Sequence, residues 1–406
     1  MTASHKKFDI DPYLYLIPIF TFITSLPGLY LGITHTHIEP QTGALLFGIA
    51  IFAAAFILSW AAEAAQIDMS ESLAVAILAL VAVMPEYAVD FVFTWKAAHD
   101  PQQAHYALAN MTGANRLLVG LGWPLVLFIF ILAKKKKTII MDKSQRVEIF
   151  YLAMATIYSF TIPLKGSLNL FDTLILVTLF GMYTRRIAKM ETVEPELVGP
   201  VKIVANMSTV PRRITTVLLF LFSGAVIFFV AEPFAMSLVG TGAAWGVDEF
   251  FLVQWLAPLA SESPEFIVAA TWAFRGHAGS AMKALISSKV NQWTLLVGTI
   301  PLVYAISGQS FAPFMLDVLD DTNTQTHELY LTAAQSLFGV AVLVNLRFDR
   351  LNGLLLLVLF LSQLIFAEIR MEVAAIYIAL ALIYHILHRK DLLPALYTGL
   401  DIKKKM

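Results

Sequence analysis

Apolar segments long enough to form membrane-spanning helices follow one another along almost the whole chain. A helix needs about 20 apolar residues to cross the hydrocarbon core of a bilayer, and about 17 is the lower limit. Twelve candidate segments lie at 13–35, 43–66, 70–98, 105–133, 146–163, 168–184, 213–236, 247–275, 281–306, 330–345, 352–367 and 371–388. With 58% hydrophobic and only 14% charged residues in a chain of 406, a soluble protein could not cover so much apolar surface. The sequence therefore predicts a single all-α integral membrane unit of about twelve transmembrane helices.

The composition also excludes several classes of function. The absence of cysteine rules out disulfides, thiolate metal sites and cysteine nucleophiles. A net charge of -1 without a basic domain gives no indication of nucleic-acid binding. No hydrolase, metalloprotease, nucleotide-binding or dinucleotide motif occurs. We therefore expect a membrane protein that is not an enzyme, with no cofactor and with the lipid bilayer as a partner.

Basic residues predict how the segments are oriented in the membrane, because short cytoplasmic loops collect Lys and Arg. When the N-terminal HKK is placed inside, every even-numbered segment must end inside. From the fourth segment onward these ends carry basic residues, namely Lys134–Lys137, Arg185 and Arg186, Arg275, Arg347 and Arg350, and the C-terminal HRK. The acidic loop LDVLDDTNTQTHE then falls outside. The pattern predicts a multi-pass protein of the cell (inner) membrane with both termini in the cytoplasm.

The polar stretch between the sixth and seventh segments divides the chain into two halves. It carries prolines and is basic at both ends, and it is too short for a folded domain of its own. We predict an N-terminal extra helix at 1–42, a first repeat half at 43–184, a cytoplasmic linker at 185–212, a second repeat half at 213–367, and a C-terminal extra helix with a basic tail at 368–406.

The two halves carry the same unusual feature, a Pro-Glu step within an apolar segment. EAAQIDMSESLAVAILALVAVMPE, which ends at Glu86, aligns without a gap with GAAWGVDEFFLVQWLAPLASESPE, which ends at Glu265. A helix with a central asparagine follows in each half, carrying Asn115 and Asn291. Five segments separate equivalent helices, so the repeats are inverted in the membrane. Inverted repeats are typical of secondary transporters, whose sites lie near the bilayer midplane.

The Pro-Glu steps predict oxygen ligands at membrane depth. A proline inside a helix displaces the carbonyl four residues earlier, which is that of Val81 in the first half and that of Ala260 in the second. A carbonyl freed there needs a partner such as a cation or water. Together with the carboxylates of Glu86 and Glu265, such oxygens suit a hard cation such as Ca2+, although Na+ or H+ would need fewer ligands. Ordinary kinks with packed or paired acids are the alternative.

These residues resemble the cation/calcium antiporter superfamily, which includes the sodium/calcium exchangers. Its repeats carry a pattern close to G-T-S-x-P-E, followed on the next helix by G-N-x-x-G-S-N-x-x-N/D. The chain offers LVAVMPE and LANMTGANRLL in the first half, and PLASESPE and LISSKVNQWT in the second. The resemblance implies two five-helix halves with one extra helix at each end. It also implies that Glu86 and Glu265 are the central metal ligands and that the amides of Asn115 and Asn291 help to line the site.

The chain departs from that pattern at positions where the resemblance implies sodium ligands. Hydroxyl groups before Pro-Glu are replaced by Ala82 and Val83 in the first half, and Glu262 stands beside Ser261 in the second. The serine of G-S-N becomes Ala114 and Val290, and the last position becomes Leu118 and Thr294.

Two basic residues, Arg116 and Lys289, stand in the same helices. A buried cation is costly unless an acid pairs with it. We considered Glu86, Asp90, Glu262 and Glu265 as partners, with Glu262 as a candidate to neutralise Lys289. The hypothesis is that Lys289 and Arg116 replace one coupling-ion position. This favours a proton-coupled mechanism, a uniport-like mechanism or an altered substrate over sodium coupling. The alternative is that either cation points to a neighbouring helix or an aqueous vestibule.

Asp90 lies one helical turn beyond Glu86 and is a candidate for proton transfer or for a structural role. Taken together, the residues predict a secondary active cation transporter that exchanges calcium or another cation for protons or sodium by alternating access. Two alternatives stay open. One is a membrane scaffold or sensor that kept the fold without transport, and the other is a carrier of a different solute that uses Arg116 and Lys289.

Overall fold

The computed structural model describes residues 11–68, 84–190, 197, 199–317 and 323–401, and these residues are predominantly helical. The helices are α1 (Leu16–Thr34), α2 (Pro40–Ala65), α3 (Met84–Ala97), α4 (Pro101–Leu117), α5 (Trp123–Lys134), α6 (Arg146–Ser159), α7 (Thr161–Lys165), α8 (Leu170–Ile187), α9 (Val201–Ala205), α10 (Thr209–Trp245), α11 (Glu249–Arg275), α12 (Ala278–Asn291), α13 (Val297–Gly308), α14 (Thr324–Leu343), α15 (Arg350–Ile365), α16 (Arg370–Leu387) and α17 (Arg389–Gly399). The strands are β1 (Thr138–Ile140), β2 (Ser167–Leu168), β3 (Phe314–Met315) and β4 (Arg347–Asp349).

A helix lies on each of the twelve apolar segments as far as the described residues extend, but several helix ends differ from those expected. Helix α4 begins at Pro101, where Asp100 caps it by accepting a hydrogen bond from the Gln102 N–H at 3.1 Å. Helix α14 begins at Thr324 rather than near 330, and its first turns bury Gln325 and Glu328. A helix start predicted from hydropathy is placed at the first apolar residue. Such a prediction misses helical turns whose polar side chains face the protein interior.

The predicted basic tail contains a further helix, α17, which packs against α6. The two helices approach each other closely at Gly399 of α17, where a Cβ atom would lie 2.2 Å from the ring of Phe150 of α6.

By length and composition, six helical segments of the described residues are apolar enough to cross a membrane. They are Pro12–Thr34, Pro40–Ala65, Pro101–Lys134, Lys143–Lys165, Thr209–Trp245 and Ala367–Leu387. The shorter α15 is also apolar. Helices α11 and α14 do not meet this criterion, and they carry the acids Glu262, Glu265 and Glu328. In α11 the low hydropathy thus coincides with the acids of the Pro-Glu segment, whereas the acid of α14 was not part of that pattern.

The chain forms two compact units, and each takes elements from both sequence halves. The first unit comprises the chain to Val92 together with Ala188–Pro264. The second comprises Phe93–Ile187 together with the chain from Glu265 onward. The division falls inside α3 and inside α11, which are the two Pro-Glu helices.

The first unit is built around α2 and α10, which are the first long helices of the two halves and pack along each other. Helix α1 packs on both through two glycines spaced four residues apart. A Cβ at Gly28 would lie 2.8 Å from the Leu46 carbonyl oxygen, and one at Gly32 would lie 2.5 Å from that of Phe229. Small residues let membrane helices approach this closely.

Part of the predicted linker is folded onto the first unit. Helix α9 packs against α2, and its residues Val201 and Val204 join Ile57, Trp60 and Ala61 in one buried apolar cluster. The described part of the linker is therefore a structural component of this unit.

One charge cluster joins the ends of α2 and α10. Asp68, just beyond α2, accepts hydrogen bonds from Arg212 at 2.7 Å from Nε and 2.9 Å from Nη2, and from Arg213 Nε at 3.2 Å. These hydrogen bonds, that of Arg212 above all, lower the pKa of Asp68.

The second unit contains α4 to α8, α12 to α17 and two short antiparallel ladders. Strand β1 pairs with β4, and β2 pairs with β3. The centre of the unit holds large buried aromatic side chains, among them Trp123, Trp293, Phe338 and Tyr377.

Candidate functional site

The first Pro-Glu helix is described from Met84, so the predicted ligand Val81 lies outside the described residues. Glu86 and Asp90 follow on α3, and both side chains are buried in spite of their charge. Their spacing of four residues places them on the same face of the helix. A buried acid at membrane depth marks a functional position by default.

The second Pro-Glu helix, α11, continues without interruption through Pro258 and Pro264. Ser261 bonds back to the carbonyls of Ala257 and Pro258, both at 3.2 Å. Ala260 lies inside this continuous helix, one residue before Ser261, and Glu262 is buried. The Ser261 hydroxyl is thus bonded to backbone of its own helix.

Glu265 is the first residue of α11 that belongs to the second unit. Its side chain is partly exposed, and the Ser288 hydroxyl of α12 faces its carboxylate. This contact brings Glu265 next to the helix that carries Lys289 and Asn291.

Each asparagine helix runs into a π-helical turn, a feature that the sequence analysis did not anticipate. Leu118–Gly122 follows α4 and Asn115, and Gln292–Leu296 follows α12 and Asn291. A π turn inserts an extra residue into a helix and often occurs at functional sites. A π turn begins within three residues after the asparagine in both halves, which supports the internal repeat.

Asn115 and Lys289 are in direct contact. The Lys289 ammonium donates to Asn115 Oδ1 at 2.7 Å and to the Asn115 carbonyl at 3.1 Å. It also lies 4.4 Å from the centre of the Trp293 ring, which is a favourable cation–π distance. Lys289 and Asn115 are both fully buried. A fixed positive charge is therefore bonded to an amide that we expected to line a cation site.

Asn291 is buried as well. Three residues later, the Thr294 hydroxyl donates a hydrogen bond to the Val290 carbonyl at 2.6 Å. Thr112 likewise bonds to the Leu108 carbonyl at 2.7 Å. Each of these two hydroxyls therefore donates a hydrogen bond to a backbone carbonyl of its own helix.

Arg116 points to a different acid from those considered in the sequence analysis. Its guanidinium forms an ion pair with Glu328 of α14 and donates to Gln363 Oε1 at 2.7 Å. Arg370 approaches the second oxygen of Glu328 at 2.7 Å. This geometry corresponds to the alternative in which Arg116 points to a neighbouring helix. Periodicity could not have identified Glu328, since it lies more than 200 residues away and in a turn expected to be loop.

Among the described residues, no three His, Asp or Glu side chains are grouped as for a metal ion. A calcium site built from these residues would need amide or backbone oxygens besides carboxylates, as the sequence analysis expected.

The family of the chain follows from comparison with known proteins. The sodium/calcium exchanger protein family matches residues 42–187 and 215–367. The H+/Ca2+ exchanger CAX has a similar structure, with a TM-score of 0.91 and 43% identity over 96% of this chain and 98% of that one.

Two further structures share the fold alone. The selenium-substituted Ca2+/H+ antiporter protein YfkE has 16% identity and a TM-score of 0.62 over 86% of this chain and 98% of that one. The sodium-calcium exchanger NCX_Mj, soaked with 100 mM Na+ and 10 mM Sr2+, has 18% identity and a TM-score of 0.52 over 83% and 99%. A comparison with curated protein sequences gave no match.

These findings confirm the resemblance noted in the sequence and the expectation of a membrane transporter rather than an enzyme. The chain is an all-helical, multi-pass membrane protein, and it belongs to the sodium/calcium exchanger family.

Proposed function

We propose that the protein exchanges calcium for protons across the cell (inner) membrane by alternating access. The observation that carries this proposal is the likeness to the H+/Ca2+ exchanger CAX, at 43% identity over 96% of the chain. The loss of hydroxyl groups where the family pattern implies sodium ligands, such as Ala82 and Ala114, supports protons as the coupling ion.

Glu86 and Glu265 are the proposed calcium ligands. Carboxylate oxygens bind either a hard cation or a proton, and the two compete for the same lone pairs. Calcium is bound when the carboxylates are ionised, and protonation on the other side of the membrane releases it. The amides of Asn115 and Asn291, the carboxylate of Glu262 and the carbonyls of Val81 and Ala260 would supply further oxygens.

Lys289 is the proposed built-in cation. Its ammonium is hydrogen-bonded to Asn115 at 2.7 Å, so that it satisfies an amide oxygen that would otherwise be free to bind a coupling ion. A covalently attached charge cannot be exchanged for Na+, and this supports proton coupling. Glu262 is the acid that we propose to balance it, and Asp90 is a candidate to take up protons beside Glu86.

Arg116 contributes less to this proposal than the sequence indicated. Its contacts with Glu328 and Gln363 support a structural role between α4, α14 and α15. They also argue against a solute carrier in which Arg116 is a binding charge.

Contacts between loops support the proposed topology of twelve spans with both termini on the cytoplasmic side. Strands β1 and β4 follow the fourth and tenth spans, and both are proposed to be cytoplasmic. Strands β2 and β3 follow the fifth and ninth spans, and both are proposed to be external. Asp68 and Arg212, at the end of the second and the start of the seventh span, pair as well. Each pair joins loops that the topology assigns to the same side.

The same topology supports the proposed divisions at 1–42, 43–184, 185–212, 213–367 and 368–406, with inverted repeats between single extra helices. Since α2 and α10 pack along each other within one unit, we expect them to move together during alternating access.

The test is calcium-45 uptake into proteoliposomes under an imposed pH gradient or an imposed sodium gradient. Uptake by the wild type should follow the pH gradient alone, and Glu265→Gln should abolish it because an amide neither ionises nor binds calcium strongly. Glu372→Gln is the matched control, since Glu372 is an exposed acid in the first turn of α16.

Lys289→Ala tests the built-in cation. We expect this variant to gain a response to sodium, because the amide of Asn115 becomes available to a free ion. The absence of calcium movement under either gradient would contradict the proposal and favour the scaffold or another solute.

A further inference from the structure

Glu148 is a buried acid that lies outside the proposed cation site. It stands in the first turn of α6, in the second unit, and its side chain has no solvent exposure. Apart from its own backbone N–H, neither carboxylate oxygen has a hydrogen-bond partner among the described residues. An ionised carboxylate without partners is costly to bury, so such a group holds and releases a proton instead.

The surroundings of Glu148 are polar on the side that faces α12 and α8. Glu148 interacts electrostatically with Lys283 of α12 and with Asp142, which precedes α6. It also interacts electrostatically with Tyr183 of α8. Lys283 is partly exposed, which gives this cluster contact with solvent.

Tyr183 connects this acid to helix α12. The hydroxyls of Tyr183 and Ser287 share a hydrogen bond of 2.6 Å. Lys283, Ser287 and Asn291 are spaced four residues apart, so they follow one face of α12. The next residue, Ser288, faces Glu265. Polar groups thus extend from Glu148 toward the residues proposed to bind the cation.

The cluster around Glu148 lies beside loops that are proposed to face the cytoplasm. Glu148 follows Lys134–Lys137 and β1, and Gln145 donates to the Gly279 carbonyl at 2.9 Å at the start of α12. Both loops are proposed to be cytoplasmic.

We propose that Glu148 is a second proton-binding carboxyl, which exchanges protons between the cytoplasmic solution and the cation site through Tyr183 and Ser287. The inference rests on the proposed proton-coupled function. In each transfer the Glu148 carboxyl gives its proton to a bridging water, which passes a proton to the Tyr183 hydroxyl. Tyr183 and Ser287 pass protons on in turn, and the transfer ends when the carboxylate of Glu265 gains one. The hydroxyls are therefore unchanged at the end, and Glu148 is recharged by a proton from water.

Two transport assays distinguish a role of Glu148 in proton transfer from a structural role. Uptake driven by a pH gradient needs protons to move, whereas exchange of calcium-45 for unlabelled calcium at equal pH does not. For Glu148→Gln we expect pH-driven uptake to fall on the order of a hundredfold, as for loss of a positioned proton-transfer group. Calcium–calcium exchange should stay near the wild-type rate.

Three variants complete the experiment. Glu148→Asp keeps a carboxyl and should retain pH-driven uptake. Tyr183→Phe removes the hydroxyl bonded to Ser287 and should reproduce the selective loss even if Glu148→Gln fails to fold. Thr156→Val is the matched control, since Thr156 is a buried polar residue of the same helix and should leave both modes unchanged.

Retention of pH-driven uptake in Glu148→Gln would overturn the inference. Equal loss of both modes in a folded Glu148→Gln protein would also overturn it, because Glu148 would then serve calcium binding or the fold. If the wild type itself exchanges calcium but ignores the pH gradient, the proposed coupling to protons fails, and that result is separate from any variant.

Discussion

Arg116 and Lys289 occupy comparable places in the two asparagine helices, yet they have different environments. Arg116 is paired with an acid, Glu328, and with Gln363. Lys289 is bonded to a neutral amide and a carbonyl of Asn115 and lies over Trp293. The same kind of charge in the same kind of helix therefore contacts an acid in one half and a proposed ligand of the cation site in the other.

The chemistry of the two side chains accounts for part of this difference. The planar guanidinium of Arg116 presents several donors in fixed directions, which suits a carboxylate and an amide at once. The ammonium of Lys289 is a compact charge comparable to a free monovalent ion. Only the lysine is therefore a reasonable substitute for a bound coupling ion.

The largest effect should come from removing the acid of the arginine pair. Glu328→Gln leaves Arg116 and Arg370 without their shared carboxylate, and a broken buried pair costs ~3–5 kcal/mol. We expect a marked decrease in the melting temperature of the detergent-solubilised protein.

The double variant Arg116→Met with Glu328→Leu is the control for that experiment. Replacing both partners with apolar residues is often neutral or stabilising, so stability should largely return. If Glu328→Gln melts like the wild type, then Arg116 is satisfied elsewhere and the contrast with Lys289 does not hold.

A smaller loss of stability is expected at the lysine. Asn115→Ala removes the side-chain acceptor of the Lys289 ammonium, and a hydrogen bond to a charged group contributes ~1.5–3 kcal/mol. Unlike Glu328→Gln, it should also impair calcium transport, because Asn115 is a proposed ligand.

Thr112→Val is the control on the same helix, since it removes a buried hydroxyl that bonds to the Leu108 carbonyl and is not a proposed ligand. Normal transport in Asn115→Ala would remove the main reason for assigning Lys289 to the site.

The smallest effect is expected at Asp68, which lies just beyond the end of α2 and forms an ion pair with Arg212. Arg212 lowers the pKa of Asp68, so the ion pair stabilises the protein at any pH above the unfolded value of about 3.9. Its contribution is lost as the pH falls through the lower pKa of the folded state. We expect Asp68→Asn to cost about 1 kcal/mol near neutral pH.

Melting curves of the wild type and Asp68→Asn between neutral and acidic pH provide the measurement. The difference between them should be constant above about pH 4 and decrease below it. A difference that does not change with pH would mean that Asp68 acts through packing rather than through charge.

Much of the candidate site was predictable because its residues violate the apolar pattern around them. Glu86, Glu262 and Glu265 stand out in segments otherwise suited to lipid, and the motifs LANMTGANRLL and LISSKVNQWT draw attention to Asn115 and Asn291. Glu328 and Glu148 were not identified, since each lies at a helix start where a charged residue is ordinary. Their burial depends on neighbouring helices that are distant in sequence.

The sequence alone determined that this chain is a helical membrane protein with two related halves, because a bilayer demands long apolar helices and a repeat leaves matching residues. It also determined that Glu86, Glu262 and Glu265 lie in the two Pro-Glu helices. Only the tertiary structure decided the partner of each charge, the two π turns and the burial of Glu148. Pairing and burial depend on distances between helices, and no periodicity within one helix records them.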